Sequence, residues 1–216
     1  MDEQGSASEL DNTAVASSAP PHMSEAVDTY LGSVLELARL LGIEVRPTSN
    51  DSHAAREVWG MVRGPLVAQL NLSDDFFTPL VAAAIYEPDP SFTRWFVEPA
   101  VGAFGRLRVR RALLEYLMTG SNQERVGAAQ AWYYTQLRRS DVHAPEVKGE
   151  AGSGGLGDFS DEWREAALRE FVRNDSLTLR HYLVKYLPLD SPDAFSSNLR
   201  NLVDAALEIA RALPRY

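Results

Sequence analysis

Few residues in this chain combine the type and spacing that chemistry demands. Gly152-Ser153-Gly154-Gly155-Leu156-Gly157 spells the letters of a dinucleotide fingerprint. That chemistry needs a strand before the glycines and a helix directly after them, so that a helix N-terminus meets the pyrophosphate. Lys148-Gly149-Glu150-Ala151 does not read as a strand, so the stretch is expected to be a flexible linker. His22, His53, His143 and His181 stand apart from one another, and the chain has no Cys. No metal site follows from that set, because neither a His pair at ligand spacing nor a thiolate is present. Carboxylates are numerous, but none is paired in an apolar setting that would raise a pKa for acid–base work. The residues therefore name no catalytic group, no metal and no cofactor.

Other residues are suited to binding rather than reaction. Arg106, Arg108, Arg110 and Arg111, joined by Arg138 and Arg139, are the one basic concentration in an acidic chain. They read either as a solvated face or as a patch for an acidic protein or nucleic acid. Trp132-Tyr133-Tyr134 is a run of three aromatics on one predicted helix. Successive helical residues turn by about 100°, so the three cannot share one core stripe. Either they divide between two packing seams, or at least one reaches the surface, where Trp and Tyr serve as binding hot spots. Arg94, Arg125 and Arg180 recur at matching places. They read as structural arginines that bond turn carbonyls or a neighbouring acid, or alternatively as a ladder for phosphates or an acidic partner.

These residues depend on helices. On Arg106–Met118, Val109, Leu113, Tyr116 and Leu117 fall at helical spacing, with the charged residues on another face. Thr119-Gly120 ends that helix, and Ser121 with Glu124 forms a capping box that opens the next. The second helix carries Val126, Ala129 and Tyr133 on one stripe, with Ala128 and Trp132 beside it. The unit recurs. An offset of 55 positions, from Ala112 to Ala167, sets Ser121 over Ser176 and Arg125 over Arg180. An offset of 31, from Arg94 to Arg125, sets the Asp89-Pro90 turn over Gly120-Ser121. Three helix–turn–helix units result, about the minimum for a stable stack of repeats.

The turn-then-Arg layout, with small and aliphatic residues between paired helices, resembles HEAT repeats. The 31-residue spacing is shorter than the usual ~40–47. It is closer to the short bacterial variety seen in proteins related to phycobilisome lyases. Pro88 to Gly105, followed by Ala112–Leu117 and Gln123–Tyr134, is also similar to a group of actinobacterial HEAT-repeat proteins without an assigned role. The resemblance spans roughly residues 74–187. It implies an α-solenoid and carries no catalytic motif, since such solenoids serve many functions.

The remaining segments fit around this core. Residues 1–23 are rich in Ser, Ala, Asp and Glu and read as a disordered acidic tail. Ser24 is expected to cap a long helix with Val27, Tyr30, Leu31, Val34, Ala38 and Leu41 on its apolar stripe, ended by Gly42. A helix over 53–62 is expected to break at Gly64-Pro65, with a short helix following. Ser73 is expected to cap the next helix, with Asp74 and Asp75 in its first turn, and Pro99 to bend the one after. Residues 140–159 read as a flexible Gly-rich insertion, with Ser160 capping the helix beyond it. A last helix with Leu199, Leu202, Val203, Ala206 and Ile209 closes the C-terminal end. No stretch alternates with period two, so the fold class is all-α, an α-solenoid of antiparallel helix pairs over residues 24–216.

The chain has 216 residues, 45% of them apolar, and a formal charge of −9. That charge opposes broad attraction to nucleic acid or anionic membrane. No signal peptide or spanning run is apparent, which makes the cytoplasm the default. The reading is a non-enzymatic protein-binding module: an adaptor, a scaffold or an immunity-type inhibitor. It would act through the face formed by the second helices, with Arg108, Arg111, Trp132, Tyr133 and Tyr134 as contacts and a basic protein as a fitting target. One alternative is a nucleic-acid binder with an Arg-lined groove. The other is a lyase-like protein that acts on a small ligand. The oligomeric state is open.

Overall fold

In a computed structural model, the protein is described over residues 21–47, 49, 51–69, 71–136, 153–191 and 194–214. Nine α-helices occur among these residues, and no strand. They are α1 (Pro21–Leu40), α2 (Ser52–Ala68), α3 (Phe77–Tyr86), α4 (Arg94–Phe104), α5 (Arg106–Thr119), α6 (Asn122–Gln136), α7 (Ser153–Arg173), α8 (Leu177–Leu183) and α9 (Arg200–Ala212). Short 3-10 turns precede α3, follow α8 and precede α9.

Local chemistry sets several of the boundaries. The amide of Ile43 bonds the carbonyl of Ala38, and the amide of Gly42 bonds that of Arg39. With Gly42 at φ 71°, this is a Schellman motif, and it stops α1. Gly105 closes α4 and opens α5 at φ 81°, ψ 150°, a conformation open in practice only to glycine. The amide of Ser121 donates to Glu124 at 2.6 Å, and the amide of Glu124 donates to the Ser121 hydroxyl at 3.3 Å, which completes the expected capping box. Ser176 accepts from the Leu179 amide in the same way ahead of α8.

Four boundaries differ from expectation. α1 begins at Pro21, ahead of Ser24. α2 runs through Gly64-Pro65 without a break. Pro65 lies on the exposed side of α2, where the carbonyl that loses its partner faces water. Gly64, lacking a Cβ, also relieves the clash that a proline imposes on the residue before it. Ser73 makes no capping bond; its hydroxyl turns to Asp75 at 3.4 Å instead. α7 begins at Ser153, well before Ser160, so Gly154, Gly155 and Gly157 lie inside a helix. A helical backbone there cannot form the open loop that a dinucleotide fingerprint requires. Residues 1–20 and 137–152 fall outside the described residues, and with them most of the acidic tail and of the expected insertion.

One apolar core extends from Tyr30 in α1 to Ala206 in α9. α1 packs on α2 and α3; α3 on α4 and α6; α5 on α6 and α7; α7 on α8 and α9; and α6 also meets α4 and α8. The chain is thus all-α, each helix packed against its neighbours. α6 contributes mainly small groups to the core: Gly127, Ala128, Ala129 and Ala131. They let it approach α3 so closely that a Cβ on Gly127 would stand 2.0 Å from the Ile85 carbonyl oxygen. Among the described residues, no helix is long and apolar enough to cross a membrane.

Candidate functional site

α5 and α7 pack together and leave a groove of about 420 Å³ between them. Leu107, Arg111, Leu114 and Met118 succeed one another at four, three and four residues along α5, which places them on one side of the helix. Leu114 is buried at the groove floor, while Met118 is 52% exposed. α7 supplies Ala166 to the floor and Glu165, Arg169 and Arg173 to the rim. Arg169 pairs with Glu165, and Arg173 with Glu170. The Arg169–Glu165 pair lies at the surface and contributes less than about 1 kcal/mol, so that part of the rim can rearrange at little cost.

Behind the rim, Glu170 is only 3% exposed. The Arg125 guanidinium approaches it at 3.4 Å, and Arg173 closes the other side. Arg125 donates its Nε–H to the Leu117 carbonyl at 3.1 Å. Its attraction to Glu170 is therefore an ion pair rather than a hydrogen bond, and Glu170 Oε2 accepts no bond. Asn174 donates to Asn122 at 2.6 Å nearby. One arginine on α6 thus ties the last turn of α5 to the last turn of α7.

Arg180 repeats half of this pattern. Its Nε–H donates to Phe171 O at 3.1 Å, and its acid is the solvent-facing Asp175 at 3.3 Å. Arg94 does not repeat it, and pairs with Glu98 at 3.7 Å. The reason is register: Arg125 and Arg180 are the fourth residues of α6 and α8, whereas Arg94 is the first of α4. The three arginines are not equivalent, and they do not line one groove.

The basic concentration is likewise divided. Arg108 donates to Asp74 at 2.8 and 3.3 Å and lies over the Phe77 ring at 4.2 Å. Its hydrogen bond, and then its charge, hold the Asp74 carboxyl below the usual range. Arg110 is buried; it donates to the Thr135 hydroxyl at 3.1 Å and lies 4.8 Å from the Trp132 ring centre. Arg111 remains on the outer side of α5. Arg138 and Arg139 lie outside the described residues.

The aromatic run separates as 100° steps require. Trp132 is buried and stacks on Trp163 with ring centres 4.0 Å apart and planes 4° from parallel. Trp132 is therefore a core residue rather than a surface contact. Tyr134 turns to the α3–α4 turn and donates to Pro90 O at 2.9 Å. Tyr133 alone of the three faces solvent, at 48% exposure. Met118, Glu165 and Arg169 escaped the reading of the sequence. The available signal was Met118, an apolar residue on the same side of α5 as Leu107 and Arg111.

A second cavity, about 230 Å³, lies where α6, α7 and the turn after α8 meet, with the Trp132–Trp163 pair on one wall. Gln136, Ser160, Arg164 and Lys185 complete most of its lining. His181 bonds the Leu177 and Pro214 carbonyls and belongs to neither cavity. Among the described residues, no group of three or more His, Asp or Glu could hold a metal ion.

The remaining buried polar cluster is internal. Tyr30 donates to Glu87, which also accepts from the Asp89 amide at 3.0 Å and faces Arg56 at 3.8 Å. Burial pushes the Glu87 carboxyl up. Burial, then the bond to Glu87, pushes the Tyr30 hydroxyl far up, and burial does the same to Tyr186. Each phenol ionises near pH 10 when unfolded and well above that when folded, so its stabilising effect is complete below pH 10 and lost as pH rises further. The expected loss is about 1.4 kcal/mol per pH unit for each tyrosine above about pH 10. Urea unfolding across that range should show it. Tyr30→Phe and Tyr186→Phe should each flatten the slope, and an unchanged slope would remove that residue from the account.

Comparison with protein-family models, with curated proteins and with solved structures finds no match to the chain.

Proposed function

We propose that this chain is a non-enzymatic protein-binding module, built as a short HEAT-like α-solenoid, that holds a segment of a partner protein in the α5–α7 groove. The observation that carries the reading is the groove itself, with an apolar floor from Leu114, Met118 and Ala166 and a charged, rearrangeable rim. That combination suits an amphipathic helix laid along a hydrophobic groove. Support for a solenoid comes from the succession α1, α3 and then α5, α7, α9, which meet as one set, while α4, α6 and α8 meet as another. The net charge of −9 favours a basic partner, as for an adaptor or an immunity-type inhibitor. Nucleic acid is the weaker reading, because Arg94, Arg108, Arg125 and Arg180 each pair with an acid of the chain itself.

The site proposed here differs from the one read in the sequence. Both walls are first helices of their pairs, Arg111 stays beside the groove, and Trp132 and Tyr134 leave the list of contacts. The test is a photocrosslinking residue at Met118, with Val67, an exposed residue of α2, as the control position. In extract of the native host, Met118 should trap one protein that survives nuclease, and Met118→Lys should weaken its binding at least tenfold at unchanged Tm. Equal crosslinking from Val67, or loss of the product with nuclease, would overturn the reading.

A further inference from the structure

We infer that the α5–α7 groove is self-complementary, and that in the protein alone α7 of a second copy lies antiparallel along it. This rests on the reading of the groove as a docking site, and a partner segment then enters only by displacing that copy. The order of charge along the rim carries the inference. Glu162, Glu165, Arg169 and Arg173 succeed one another on α7 at steps of three, four and four residues, which keeps them on one side of the helix. All four line the groove. Read from the other end, the same stripe presents base, base, acid, acid.

A two-fold axis beside Ala166 therefore sets Glu165 of each copy against Arg169 of the other, and Glu162 against Arg173. An isologous interface demands this, because one surface must complement itself. A parallel pair in register would set like charge against like, so the pattern also fixes the direction. Glu162 makes no ion pair among the described residues, and Arg173 is 61% exposed while it holds Glu170, so both can reach across the axis. Glu165 and Arg169 already pair within the chain, and at the axis they become a ring of two acids and two bases. Between the charges, the exposed Met118 and the floor of Leu114 and Ala166 supply apolar surface for association to cover. The stripe runs about 16 Å along α7. So short a contact favours a dimer of micromolar rather than nanomolar strength. The formal charge of −9 repels copies at a distance, but physiological salt screens charges beyond ~8 Å, and the stripe itself is balanced.

Sedimentation equilibrium of the purified full chain, from about 1 to about 500 μM, tests this without any partner. The parent should dimerise within that range. Glu165→Arg sets cation against cation twice across the axis, and Arg169→Glu sets anion against anion twice. Each should weaken the dimer at least tenfold while melting with the parent. An equimolar mixture of the two variants pairs every charge again and should recover the parent's affinity. A parent that stays monomeric throughout would overturn the inference. So would variants that dimerise as well as the parent, or a mixture no stronger than either variant alone. None of these results touches the Met118 crosslink to a partner. Conversely, a Met118 crosslink that yields only a product of two copies removes the partner and supports the dimer.

Discussion

Gly127→Ala is expected to cost about 3 kcal/mol, the upper end of what overpacking a core costs. In most helices the same change is favourable, because Ala restricts the unfolded chain and forms helix better than Gly. Gly127 reverses the sign. Its added methyl would stand 2.0 Å from the Ile85 carbonyl oxygen and 2.7 Å from the carbonyl carbon. Both are backbone atoms of α3, so no side chain can swing aside, and α6 must move bodily away from α3. Gly32 and Gly60, in α1 and α2, have nothing within 4 Å of the equivalent point. Gly32→Ala and Gly60→Ala should stabilise by about 0.5–1 kcal/mol. Urea midpoints of the three variants measure the contrast. A Gly127→Ala protein as stable as Gly60→Ala would mean that α3 and α6 do not approach so closely.

Arg125→Met should cost about 3 kcal/mol, the lower end for breaking a buried ion pair by removing one partner, because Arg173 still faces Glu170. The loss has two parts: the bond to the Leu117 carbonyl, and the compensation of a Glu170 carboxylate that is 3% exposed. Glu170→Met alone should also destabilise, because Arg125 then lacks its acid. The double variant should lose much less than the two singles together, since matched apolar groups can replace a buried pair at little cost. A double-mutant cycle reads that coupling, and simple additivity would show that Arg125 and Glu170 act separately. Arg180→Met provides the comparison. It keeps the carbonyl bond as its main loss, because Asp175 is solvent-facing, and should cost about 1 kcal/mol.

The parts of the fold that could be read from the sequence are those fixed by short-range chemistry. The Ser121–Glu124 capping box, the Gly42 stop and the period of α5 all depend on residues within one or two turns. The same holds for the match of Arg125 with Arg180, which follows from equal distance to a capping Ser. Arg94 shows the limit: the 31-residue alignment was plausible by letter, but α4 starts three residues late. Pro65 shows another, since a breaker on the exposed side of a helix need not break it. The candidate site was harder to read, because it depends on which faces meet. Trp132, Tyr133 and Tyr134 were recognisable as pointing in different directions, yet only the tertiary packing around α6, with Trp132 stacked on Trp163, decides which one is interior. The α5–α7 groove is made by two helices more than thirty residues apart, and Met118 is an ordinary helix methionine until α7 lies beside it.

Among the described residues, helices that pack together lie no more than three apart along the chain. Low separation between partners shortens the conformational search and makes it possible to proceed from one end. During synthesis, which adds roughly 5–20 residues per second, α1, α2 and α3 are complete when most of the chain is still to be made. Tyr30 can then find Glu87, and the carbonyl of Ile85 is already in place before Gly127 is translated. α6 therefore arrives at a surface that is already formed, and it fits because one of its residues has no side chain.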